Sequence, residues 1–182
     1  ATVTSFLATL LRTRHGRLDD DLTVQMRDTI VEAVDALSRD VADNDLPEPC
    51  QNVWEDSIGQ FAHTAAAYIE AFATVARAPM ANQIRERAQH GAERVLDGLE
   101  ELWDDEMSVY VMRLTNGEID HRIDAAALKL TDAFEAYDAI EDAELTDDQV
   151  ERLADHVSTT LDTLFRNPPH SEIAGLSRYE GD

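Results

Sequence analysis

Apolar residues recur every three or four positions along most of this chain, and strict alternation is nearly absent. That period predicts helices rather than strands. The first helix runs from about Thr4 to Arg14, with Phe6, Leu7, Leu10 and Leu11 on one stripe and a stop at Gly16. A second opens at Asp19-Asp20-Asp21, carboxylates suited to the positive end of a helix dipole, and extends to about Asp43. Leu22, Met26, Ile30, Val34, Leu37 and Val41 give it one apolar face.

Residues Asn44 to Gln51 read as a loop, because Pro47 and Pro49 are excluded from a helix interior. A third helix follows, from about Asn52 to Arg77, lined by Trp54, Phe61, Tyr68 and Phe72 and kept slim by alanines such as Ala62, Ala65, Ala66, Ala67, Ala71 and Ala73. It is the candidate central helix. Pro79 suits the first turn of a fourth, which the pattern carries to about Leu114, a length of about 50 Å unless Gly91 or Gly98 kinks it. Asn116-Gly117 is read as its stop. A fifth helix covers Glu118 to about Asp142, and a sixth begins at Thr146, where Thr146-Asp147-Asp148-Gln149 fits a capping box, and reaches Phe165. Val150, Leu153, Val157, Leu161 and Leu164 form its apolar face.

With short connections and no long linker, the expected fold class is all-α: about six helices in an antiparallel bundle. Residues 1–165 make one domain, and 166–182 form a non-helical C-terminal tail broken by Pro168-Pro169. No apolar run approaches the ~20 residues of a membrane span, so membrane insertion is not expected. The segment order of a signal peptide is missing at the start, which makes a cytoplasmic location, or one within an assembled particle, the expectation.

Charge changes this picture most. The chain carries 38 acidic against 15 basic residues, a formal net charge of −23, and Lys129 is the only lysine beside fourteen arginines. Self-repulsion of that size opposes the compact state in dilute buffer, but at molar salt the Debye length falls to about 3 Å. The pattern resembles haloarchaeal proteins, so a high-salt organism is expected. Binding through phosphate contacts weakens steeply with salt, which makes nucleic acid an unlikely partner. Two segments reverse the trend. Residues 1–18 hold Arg12, Arg14, His15 and Arg17 without one carboxylate, and Arg77 to Arg94 holds four arginines against Glu86 and Glu93. These arginines are expected to meet carboxylates of the chain itself or of a neighbouring subunit.

Chemistry-bearing motifs are sparse. A bundle di-iron site needs Glu-x-x-His twice, and the sequence has it once, at Glu118-Ile119-Asp120-His121. Six histidines are scattered with no pair at helical spacing, and the single cysteine, Cys50, lies in the predicted loop. Neither a nucleophile elbow nor a phosphate-cradling glycine loop occurs. Arg85 and His90 have the loose spacing of the arginine–histidine pair in helical HEPN ribonucleases, but the polar residue that family places after the arginine is Glu86 here and nothing else supports the resemblance. No catalytic, cofactor or metal site is assigned.

The functional expectation is therefore a non-catalytic helical scaffold or adaptor, acting by protein–protein contact in a multi-subunit or self-associated assembly such as a virion or other native particle. Its partner-binding residues are expected at the two ends: Arg12, Arg14 and Arg17 against carboxylates, and Ile173, Leu176 and Tyr179 as tail anchors in a groove between helices. Two alternatives are a small-ligand binder or enzyme with a pocket lined by Trp54, Tyr68, Trp103, Tyr110 and Tyr137, and a nucleic-acid-associated regulator using the arginine-rich start.

Overall fold

The computed structural model describes residues 1–14, 16–51, 53, 57–166 and 175–179. In chain order these form α1 (Thr2–Arg14), α2 (Asp20–Arg39), β1 (Cys50–Gln51), β2 (Ile58–Phe61), α3 (Ala62–Ala76) and α4 (Asn82–Gly98). A 3-10 turn over Leu99–Leu102 leads to β3 (Trp103–Asp104), β4 (Val109–Tyr110), β5 (Arg113–Thr115) and β6 (Glu118–Asp120). A second 3-10 turn, Ala125–Lys129, runs into α5 (Leu130–Asp138), followed by α6 (Asp147–Leu164), β7 (Phe165–Arg166) and β8 (Gly175–Leu176).

The all-α expectation is thus corrected to a mixed α/β fold. Helices make up 61% of the described residues, and eight strands form three small antiparallel sheets. The largest has the order β1-β2-β5-β6, with Cys50 opposite Gly59, Gln60 opposite Leu114 and Arg113 opposite Asp120. The expected 79–114 helix ends at Gly98, and the expected 118–142 helix starts only at Leu130.

The cause lies in the turn residues. Asn116 and Gly117 both adopt positive φ, 52° and 81°, the backbone of a two-residue hairpin turn between Thr115 and Glu118. They reverse a strand instead of ending a helix, and the preceding Val109-Tyr110-Val111-Met112 is rich in β-branched and aromatic side chains. Asp104 makes the other reversal, its Oδ1 accepting from the N–H groups of Glu106 and Met107 at 2.9 and 3.0 Å.

Where caps are explicit, sequence and structure agree. The Asp19 carboxylate accepts from the N–H of Asp21 and Leu22 at the start of α2, and Thr146 with Gln149 closes a reciprocal capping box on α6.

α3 is the hub, buried on eleven of its fifteen residues and packed against α1, α4 and α5. Its alanines admit close neighbours. Across it, Gly91 of α4 lies under the Phe72 ring so closely that a Cβ there would stand 2.9 Å from ring carbons. No helix among the described residues is long and apolar enough to cross a membrane.

Candidate functional site

α1 turns the smaller side of its sequence inward. Thr4, Ser5, Ala8 and Leu11 are its buried residues, against α3. Ser5 Oγ donates to Glu70 Oε1 at 3.2 Å and lies 3.4 Å from Thr74 Oγ1, while Glu70 also receives Lys129 Nζ at 2.7 Å. This polar seam fixes which way the helix faces, because turning it would bury hydroxyls elsewhere without these partners. The expected stripe is corrected in one member: Leu11 is buried and Leu7 and Leu10 are partly buried against the core, but Phe6 is 64% exposed, as is Val3 at 68%. Val3, Phe6 and Arg14 are exposed on the outer face, and Leu10, between Phe6 and Arg14 at helical spacing, lies at its edge, partly buried against the core.

Arg12, Arg14 and Arg17 are exposed, and among the described residues none of them forms an ion pair. Arg12 shares with Arg77, Glu70 and Glu135 a cleft between α1, α3 and α5. Burial, and then the Arg12 charge, push the pKa of Arg77 down against the opposing pull of Glu135.

The second arginine-rich segment behaves otherwise. Arg85 Nε donates to the Ala76 carbonyl at 2.8 Å, Arg87 pairs with Asp35, and Arg94 grips Asp45 Oδ1 through Nε at 2.7 Å and a terminal nitrogen at 2.5 Å. His90 is exposed beside Glu93, so Arg85 and His90 do not converge on one site.

The hairpin β5–β6 carries a cluster of polar contacts. Asp120 binds Arg113 at 3.1 Å and Arg122 at 2.8 Å, and these bonds, Arg122 first, hold its pKa down. His121 Nδ1 lies 2.6 Å from Asp104 Oδ2. That carboxylate is held low chiefly by the Met107 N–H, with His121 adding to it. Because Asp104 already ties the β3–β4 turn through Oδ1, its bond to His121 fastens that turn to the neighbouring hairpin. Among the described residues no group of three metal-ligating side chains gathers.

The four described aromatics of that expected pocket do not line one cavity. Tyr110 is packed between Trp103, Phe134 and His156, with centroid distances of 5.0, 6.5 and 5.5 Å. Tyr68 instead meets Phe72 edge-on and donates to Asp40, Tyr137 is buried where Glu93 and Asp97 bear on its hydroxyl, and Trp54 lies outside the described residues.

Of the tail anchors, Ile173 lies outside the described residues. Leu176 is exposed opposite Phe165 in the β7–β8 ladder. Tyr179 bridges the backbone of Asp124 and lies under the guanidinium groups of Arg122 and Arg178, each 5.0 Å from its ring centroid.

Two features went unread in the sequence. His156 is fully buried, accepting from the Tyr110 N–H at Nδ1 and donating from Nε2 to the Ala127 carbonyl, both at 3.2 Å. Burial pushes its pKa down to about 4. Second, α6 buries His156, Thr160 and Leu164, leaving Val150, Leu161 and the adjoining Phe165 at 52%, 42% and 53% exposure. The 156–160–164 spacing carried the signal, but a histidine and a threonine do not register as apolar.

No family model, curated protein or solved structure matches this chain.

Proposed function

We propose that the chain is a non-catalytic helical scaffold or adaptor that works by protein–protein contact within a multi-subunit assembly in a high-salt organism. The outer face of α1 carries this reading. It sets Val3 and Phe6 in solvent beside arginines that form no ion pair among the described residues, in a protein otherwise dominated by carboxylates. Exposed apolar side chains grouped with free guanidinium groups suit burial against an acidic protein surface, where desolvated arginine–carboxylate bonds persist at molar salt.

Light scattering in molar KCl tests it. The wild-type mass should exceed the 20.3 kDa of one chain, and Phe6→Asp should lower it with the far-ultraviolet circular dichroism unchanged. A wild-type mass of one chain would refute self-assembly, and a partner purified from the native source would then have to respond to Phe6→Asp. The salt reading has its own measurement: the melting temperature should rise with KCl as the −23 charge is screened.

Arginines without an ion pair among the described residues also favour a second reading, contact with nucleic-acid phosphates. Such binding should weaken log-linearly with salt, whereas an apolar contact should not.

A further inference from the structure

We infer that the basic apolar face of α1 docks on the acidic apolar face of α6 in a second copy of this chain, a head-to-tail contact. This rests on the protein-contact reading above and names its partner. The α6 face consists of Val150, Ala154, Val157, Leu161 and Phe165, at successive spacings of four, three, four and four. All but Val157 are exposed, and Val157 is partly so. Such a repeat on a helix makes one continuous seam.

Carboxylates border the seam. Asp147, Glu151, Asp155 and Asp162 are exposed, and among the described residues none of them forms an ion pair. The α1 face has the reverse character, with exposed Val3 and Phe6 and, at its edge, Leu10 partly buried against the core, leading to Arg14 and then Arg17, and no carboxylate in residues 1–18. Within one chain α1 packs mainly on α3 and α2, and α6 on β4 and the second 3-10 turn, so neither seam is used up by the fold.

Charge selects the pairing. Two α1 faces together would set arginines against a surface without acids, and two α6 faces would set carboxylates against carboxylates. Only α1 against α6 matches both kinds of residue. An antiparallel arrangement also opposes the helix dipoles. It places Val3 and Phe6 over Leu161 and Phe165, and Leu10 over Ala154 and Val157. Arg14 and Arg17 then reach Glu151 and Asp147 at the α6 start. The lengths agree, since the eleven steps from Val3 to Arg14 span about 17 Å and the α6 seam is somewhat longer. Because the two patches differ, each bound pair leaves one of each open, and the assembly closes as a ring or extends as a filament.

The decisive experiment mixes two variants, each broken on one side. In molar KCl, Phe6→Asp and Leu161→Asp should separately scatter as single chains of 20.3 kDa. Mixed in equal amounts they should form a complex of two chains and nothing larger. The intact α1 of one then meets the intact α6 of the other, and both remaining faces are dead. Circular dichroism confirms that each variant is folded, and Val3→Asp replaces Phe6→Asp if that one is not. If Leu161→Asp assembles like the wild type while Phe6→Asp does not, α6 is not the receptor and this inference falls while the α1 contact stands. If both variants are single chains yet their mixture stays so, the cross-contact is wrong. A wild-type protein that is itself a single chain overturns it outright.

Discussion

The two arginine-rich segments look alike in sequence and end differently in space. Between Arg77 and Arg94 the guanidinium groups are largely consumed by the fold: Arg85 closes the end of α3, Arg87 reaches Asp35 of α2, and Arg94 holds Asp45 in the turn after α2. In residues 1–18 the arginines meet no carboxylate among the described residues, and the helix bearing them turns Val3 and Phe6 outward. One segment is finished within the chain and the other is not. A local reversal of charge therefore marks a place where carboxylates are wanted, and only the packing says whether the chain supplies them.

The largest expected effect tests the finished side. Gly98 at the end of α4 crosses the turn that Arg94 grips, and a Cβ there would stand 2.6 Å from the backbone C and O of Asp45. Gly98→Ala should cost about 3 kcal/mol in urea unfolding, because backbone rather than a flexible side chain must yield. A change near zero would show that turn to be loosely held and blunt the contrast. Assembly mass should be unaffected.

A comparable swing is expected from His156, whose two ring nitrogens are both used internally. Its pKa falls from an ordinary 6.5 to about 4 in the folded protein. The unfolded chain therefore binds the extra proton first, and stability present above pH 6.5 is lost as pH falls toward about 4. The loss across that window is on the order of 3 kcal/mol. His156→Gln should be less stable near neutrality but show a flatter pH dependence over the same range. An equally steep dependence would assign the proton uptake to other groups.

Arg94→Met should have a smaller effect, about 1 kcal/mol, since both Arg94 and Asp45 remain about a third exposed and salt screens the pair. Its signature is a lower melting temperature with unchanged mass.

How much of this was legible follows from where the local signals are strong. Asp19 and the Thr146–Gln149 box announce helix starts in residue types that act through their own hydrogen bonds, and α2 and α6 begin there. Strands of two to four residues offer too few positions for a period of two to show, and Tyr110 and Leu114 satisfy a helical spacing while lying on separate strands. Asn116-Gly117 was visible but ambiguous, as the pair both stops helices and turns hairpins. The direction a helix faces was the least legible. On α1, Thr4 and Ser5 look like surface residues, yet both are buried and the Ser5 hydroxyl meets Glu70 and Thr74, and on α6 the buried side contains His156 and Thr160. The arginines at the start stand out in the sequence by the absence of acids around them, whereas the α6 seam is visible only in the structure, because its apolar residues read as core.

The smallest stability effect sharpens the comparison most. Arg14 and Arg17 are exposed and form no ion pair among the described residues, so Arg14→Met and Arg17→Met, singly or together, should leave unfolding free energy within about 0.5 kcal/mol of the wild type. Their mass by light scattering in molar KCl should nevertheless fall, because the guanidinium groups are the part of the face that pairs with carboxylates. Methionine keeps an unbranched apolar stem of similar reach, so a loss of assembly is assigned to the charge rather than to lost packing. Arg94→Met makes the opposite pattern, lower stability and unchanged mass, and the two results together separate an arginine that completes the fold from one that completes an interface. Should Arg14→Met instead lower stability by more than about 1 kcal/mol with mass unchanged, the α1 arginines belong to the fold after all, and the distinction between the two segments collapses.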